Sequence, residues 1–215
     1  KTNATGYAYD GLQRLVTTTD ALTGVVTEGY DTLDNLTSTK DQRNNTTTYT
    51  YNAFGDVKSE TSPDRGLTSY VLDKAGNVTQ KTDARSVITN YTYDALNRLK
   101  TVAYPSQTAL NATLTYDTAT GCGTAPKGQL CSVTDGAGAI AYQYDVLGRM
   151  TQEADTRGSV VLTTQYGYDL AGTLTSLILP STRTVGYTLN TNGRVNGVTA
   201  KVTGTTTTLA SSGAY

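Results

Sequence analysis

Tyr142-Gln143-Tyr144-Asp145-Val146-Leu147-Gly148-Arg149-Met150 is the stretch that decides how this chain is read. Side chains alternate along a strand, so Tyr142 and Tyr144 share one face. Asp145 stands where that strand ends, and an aspartate there can bond its own backbone two residues on. Gly148 tolerates the left-handed conformation that closes a type I turn in a hairpin loop. Met150 is apolar and opens a returning strand. The nine residues spell one β-hairpin.

Outward from this segment the pattern recurs. Tyr91-Thr92-Tyr93-Asp94-Ala95-Leu96-Asn97-Arg98-Leu99 repeats it nearly in full. Taking the Asp or Asn as an anchor, Asp10, Asp31, Asn52, Asp73 and Asp94 follow one another at 21-residue intervals. Asp117, Asp145, Asp169 and Asn190 continue the series at intervals of 23, 28, 24 and 21. A fixed period of this length marks a repeat architecture. The residue before the anchor is Tyr9, Tyr30, Tyr51, Tyr93, Tyr116, Tyr144 or Tyr168, with Leu72 and Leu189 in the other two units. Three residues before it stand Tyr7, Tyr49, Tyr70, Tyr91, Tyr142, Tyr166 and Tyr187, so the two columns hold 14 of the 16 tyrosines. Turn formers follow three residues after most anchors (Gly55, Gly76, Asn97, Gly148, Gly172, Gly193), and Arg14, Arg98, Arg149 and Arg194 come next. An apolar residue then opens the return: Leu15, Leu36, Val57, Val78, Leu99, Met150, Leu174 and Val195.

About ten residues past the anchor a second turn signal appears, at Asp20, Asp41, Asp83 and Asp155, and at Pro63-Asp64-Arg65-Gly66. Two turns of roughly four residues and two strands of roughly six fill such a unit. The pattern predicts strands from four residues before to one before each anchor, and from five to nine after it. Composition agrees: 44 Thr, 21 Gly and 16 Tyr stand against one Phe, one Met, no Trp and no His. Thr and Tyr suit a pleated, half-buried surface. The expected fold is all-β, a strip of antiparallel hairpins. One repeat region over residues 1–215 is expected, in nine units, with the loop at 118–130 enlarged.

Seventeen basic and 18 acidic residues leave a formal charge of −1, without the basic excess of a nucleic-acid-binding domain. No run of about 18 apolar residues could span a membrane. With no His there is no Ser–His or Cys–His pair, and no phosphate-cradling Gly-x-x-x-x-Gly-Lys loop occurs. Paired carboxylates could still meet in space. The expectation is a chain that is not an enzyme and takes no cofactor or metal. It carries neither an initiator Met nor a signal-peptide pattern, so it is expected to be a processed chain or an excerpt.

Each column carries a rival reading. Aspartates bind Ca²⁺, but Ca²⁺-binding β-helices use much shorter Gly- and Asp-dense repeats, and an Asp opening a turn already has a backbone task. The tyrosines read as a core ladder, largely buried, with ring stacked on ring between hairpins and Thr hydroxyls as partners; a ligand-stacking platform is the rival. The arginines read as bridges between neighbouring hairpins rather than a polyanion site. Cys122 and Cys131 flank the enlarged loop and suit a disulfide, with two free buried thiols as the alternative.

The unit Tyr-x-Tyr-Asp-x-x-Gly-Arg-Leu resembles the YD repeat of bacterial Rhs proteins, of the B and C components of insecticidal toxin complexes, and of teneurins. The resemblance covers nearly the whole chain. It implies a strip of hairpins that spirals into a hollow shell, enclosing a C-terminal toxin in the bacterial proteins and supporting adhesion in teneurins. The family's Asp-Pro-x-Gly core motifs have no counterpart here, since the sequence has no Asp-Pro. A secreted or cell-surface wall segment is therefore expected. Its partners would be further YD repeats of the same or identical chains and an encapsulated toxin domain. The alternative is an extracellular fibre or adhesin that binds glycans or itself.

Overall fold

The structure, a computed structural model, describes residues 4–118, 120–202 and 204–211. Of the enlarged loop, Ala119 lies outside the described residues, as do both ends of the expected repeat region. The chain divides into two units, residues 1–107 and 108–215. The first holds β1 (Gly6–Tyr9), β2 (Leu15–Thr19), β3 (Val25–Tyr30), β4 (Leu36–Lys40) and β5 (Thr46–Tyr51). It continues with β6 (Val57–Ser62), β7 (Gly66–Leu72), β8 (Val78–Thr82), β9 (Ile88–Tyr93) and β10 (Leu99–Ala103). The second opens on a short 3₁₀ turn, Thr108–Leu110, then β11 (Ala112–Tyr116), β12 (Leu130–Asp135), β13 (Gly138–Tyr144) and β14 (Met150–Arg157). It ends with β15 (Val160–Tyr168), β16 (Leu174–Ile178), β17 (Thr184–Leu189), β18 (Val195–Val202) and β19 (Thr205–Ser211).

Within each unit every strand pairs antiparallel with the next in sequence. The all-β strip of hairpins is thus observed, and each anchor sits between two strands as its column predicts. In the hairpin of β13 and β14, Tyr144 opposes Met150 and Gln143 opposes Gln152, so Thr151 is an extra residue on the returning strand. The same bulge recurs in all nine anchor hairpins, always between the anchor's two preceding residues and their partners. A bulge bends and twists the strand that carries it.

The second turns differ more. Asp20, Asp41 and Asp83 open loops like those of the anchors, with Thr23, Asn44 and Ser86 left-handed. Asp155 does not: it lies inside β14, opposite Leu162, and the chain reverses three residues later at Gly158-Ser159. The turn signal failed there because β14 and β15 are long enough to carry the ladder past the aspartate, and Gly158 makes the tighter turn at φ 59°.

Few described side chains leave solvent completely; Cys122, Cys131 and Ala200 are the buried apolar ones. Most strand residues are half-buried, because a side chain on one sheet is covered chiefly by its neighbours on the same face. The opposite face to the tyrosines carries small hydroxyls and amides. They pair across strands, as Thr50 with Ser59 and Thr92 with Thr101, both at 2.6 Å.

Candidate functional site: the anchor seam

Eight of the nine anchor hairpins are closed in the same way. The anchor N–H donates to the carbonyl four residues on, and its own carbonyl accepts from the N–H three residues on, as in Asp145 with Arg149 and Gly148. One side-chain oxygen of the anchor then accepts from two further N–H groups, those of Leu147 at 2.9 Å and Arg149 at 3.0 Å. Asp10, Asp31, Asn52, Asp73, Asp94 and Asn190 repeat both contacts. Asp169 accepts from Thr173. The residue three past the anchor is left-handed even where it is Gln13 (φ 66°) or Asp34 (φ 65°). The loop geometry therefore does not depend on a glycine, though a side chain there costs energy.

The anchor's second oxygen is secured by the residue four on. Arg14, Arg98 and Arg149 each pair with their own anchor at 2.6–2.7 Å. Asn35 and Asn77 donate to Asp31 and Asp73 at 2.9 and 3.0 Å. Between Asn52 and Asp56 the roles are exchanged, with the anchor amide donating to the Asp56 carboxylate at 2.9 Å. An amide–carboxylate bond in either direction closes the loop, so an ion pair is not required.

The arginines also reach forward. Arg14 donates to the Asp31 carbonyl at 2.8 Å, pairs with Asp34 at 2.8 Å, and lies over the Tyr30 ring at 4.8 Å. Arg149 donates to the Asp169 carbonyl at 2.9 Å and lies over Tyr168 at 4.9 Å. Both bridge neighbouring hairpins. Arg and Tyr favour this stacking because the cation meets the negative face of the ring.

Where a tyrosine precedes the anchor it adds to the seam, and here expectation needs two corrections. For five of these tyrosines the hydroxyl partner is a backbone carbonyl rather than a threonine, with Glu28 a second acceptor for Tyr30 at 2.8 Å; a threonine, Thr89, serves Tyr91 in the other column. Tyr30 donates to Leu15, Tyr51 to Leu36, Tyr93 to Val78, Tyr144 to Leu130 and Tyr168 to Met150, all at 2.7–3.0 Å. In every case the acceptor is the apolar residue opening the previous unit's returning strand, beside its bulge. Arg149 lies over the Tyr168 ring. The rings are not largely buried: most are half-buried, and Tyr7 and Tyr9 on β1 are 59% and 58% exposed. One sheet face covers a ring only from its sides.

The electrostatics follow the contacts. Asp10 and Asp94 are held below the ordinary aspartate value of 3.8, first by the N–H groups of Arg14 and Arg98. Asp31 and Asp73 are lowered first by the Asn35 and Asn77 amides, and Asp145 by the Arg149 side chain. Burial pushes the Tyr144, Tyr142 and Tyr166 phenols above 10.0. Among the described residues no three of His, Cys, Asp and Glu gather to hold a metal, and no helix is long and apolar enough to cross a membrane.

The enlarged loop departs from the others. Asp117 is itself left-handed (φ 59°), and its carboxylate accepts from the Gly128 N–H across the loop at 2.6 Å. Cys122 and Cys131 are joined, and Cys122 has no exposed surface. The loop turns back so that Cys122 and Thr124 bond the Tyr144 backbone at 3.1 and 2.9 Å. Gly123 between them leaves no room for a β-carbon, which would lie 2.0 Å from the Tyr144 carbonyl oxygen. The loop thus pairs a stretch of β13 beyond its ladder with β12.

The RHS repeat family model matches residues 30–67, 73–109 and 126–160, just over half of the chain. No curated protein sequence matches it. Among solved structures, TcdB2-TccC3 with Cdc42 has a TM-score of 0.81 at 18% identity over 95% of this chain. TcdB2-TccC3 without its hypervariable C-terminal region gives 0.82 at 18% identity over 98%. TcdB2-TccC3-TEV gives 0.59 at 14% identity over 98%. At such identities the likeness shows the fold. This chain spans 12% of each of the first two matched chains and 15% of the third.

Proposed function

We propose that this chain, which belongs to the RHS repeat family, is a non-catalytic wall segment of an Rhs-type shell. The whole of residues 1–215 serves as one repeat region, and the parent polypeptide encloses or delivers a C-terminal toxin. The observation that supports this reading is the seam. Its aspartate, arginine and tyrosine hydrogen bonds are spent on closing one hairpin and fastening the next. A chain that uses its polar side chains in this way makes a continuous surface rather than a reaction site. The matched TcdB2-TccC3 structure lacking a hypervariable C-terminal region supports a parent in which a variable segment follows the repeats.

The partners are further YD repeats, and the place of action is outside the cell, where the Cys122–Cys131 bond persists. Exposed apolar tips at Leu12, Leu33, Phe54, Leu96 and Leu147 favour contact with other protein surface. They also keep open a second reading, an extracellular fibre or adhesin that self-associates or binds glycans. Limited proteolysis of the polypeptide that carries these repeats separates the two. A shell leaves the segment after the repeats resistant until the wall is unfolded. Digestion of that segment at the rate of the isolated segment would contradict enclosure and favour the fibre.

A further inference from the structure

Thirteen residues, 117–129, join β11 to β12, whereas five join β4 to β5 (41–45) and five join β8 to β9 (83–87). The short loops carry Arg43 and Arg85, and four hydrogen bonds made by the leading aspartate close each of them. A protease takes its substrate extended, and such loops reach that form only by opening the ladder. The long loop holds one basic residue, Lys127, and it is exposed. Gly128 after it is exposed too, and a β-carbon there would meet nothing within 4 Å. Two hydrogen bonds fold the chain at this point: the Gln129 N–H donates to the Pro126 carbonyl at 3.0 Å, and the Gly128 N–H to the Asp117 carboxylate at 2.6 Å. The Lys127–Gly128 bond lies between Cys122 and Cys131, which are joined. On one side of it Cys122 and Thr124 are bonded to the Tyr144 backbone; on the other, β12 is paired with β11 and β13. Both ends of a cut there stay anchored.

We propose that the Lys127–Gly128 bond is a proteolytic processing site, cut by a protease that cleaves after basic residues, and that the product is a two-chain form joined through Cys122 and Cys131. Water adds across the peptide bond, leaving a carboxylate on Lys127 and an ammonium on Gly128. The disulfide is then the only covalent link between residues 1–127 and 128–215. Cys122 is fully buried and Cys131 is 4% exposed, so the link survives the cut. A dithiol that reaches it passes two electrons and two protons to the sulfurs, becomes a disulfide itself, and ends the covalent continuity of the strip. The inference stands on this loop alone and does not require the wall reading.

The test is brief digestion of the oxidised 215-residue chain with trypsin, the cuts read by mass spectrometry and on gels run with and without dithiothreitol. Between β2 and β16 the first cut is expected after Lys127, at least about tenfold faster than after Arg43 or Arg85, where two more hydrogen bonds must open. Unreduced, the nicked product should run as one species; with dithiothreitol it should part into residues 1–127 and 128–215. While oxidised, it should keep the thermal midpoint of the intact chain to within a few degrees. Reduction should then lower the midpoint of the nicked chain more than that of the intact one. Lys127→Gln should abolish this cut and leave those after Arg43 and Arg85 at their own rates. Cutting after Arg43 or Arg85 as fast as after Lys127 would overturn the proposal. So would fragments that part without reductant, or an oxidised nicked chain that has lost its fold.

Discussion

At the scale of the residue, Tyr144 shows how one side chain serves two hairpins. Its ring sits half-buried on β13, and its hydroxyl donates to Leu130 on the strand before. Removing only the hydroxyl, Tyr144→Phe, should cost about 1 kcal/mol, the net worth of one hydrogen bond. Tyr144→Ala should cost about 2 kcal/mol, below the roughly 3–5 expected of a fully buried ring. Urea unfolding of both variants checks the pair. The anchors set the pH response. Asp10, Asp31, Asp73, Asp94 and Asp145 all have lowered pKa values in the folded chain. A depressed carboxylate stabilises the fold fully above its unfolded pKa, and that contribution is lost as pH falls through the folded one. Thermal unfolding midpoints should therefore be level near neutrality and fall between about pH 5 and pH 2. Asp145→Asn should shrink the acid drop while keeping the loop, since Asn52 already builds the same turn without a carboxylate.

At the scale of the element, the anchor hairpin was legible because each column carries a local reason: strand alternation, a turn aspartate, an apolar return. The bulge was not, since an extra residue such as Val16 or Thr151 has no chemistry that marks it. The hydroxyl-to-carbonyl bond was missed for the same reason, because a backbone acceptor has no letter in the sequence. Asp155 misled because a turn aspartate and a strand aspartate look alike until the ladder length is known. Two substitutions probe these loops. Gln13→Gly should stabilise by about 1 kcal/mol, because a left-handed residue with a side chain is strained. Cys122→Ser should destabilise by about 2–3 kcal/mol, the closure entropy of a short loop. It should also speed amide exchange at Tyr144 and Thr124, whose bonds the loop supplies. Chemical denaturation and hydrogen exchange read the two effects.

At the scale of the whole molecule, a repeat strip gains stability chiefly from neighbour-to-neighbour contacts, so the seam is its unit of cohesion. Within the first unit Arg14 and Tyr30 tie one hairpin to the next; within the second, Arg149 and Tyr168 do so. The sequence period announced such a strip, and the expected wall role followed from its resemblance to YD repeats. Which surfaces are covered in the assembly was not legible, because the exposed tips and edge strands take their meaning from chain that packs against them. The measurement that bears most directly on the wall role is an electron cryomicroscopy map of the polypeptide that carries these repeats. The account predicts a closed shell wound from the hairpin strip, with the anchor seams running continuously along its wall and density inside. An extended filament with no enclosed space, its repeats joined end to end, would contradict it.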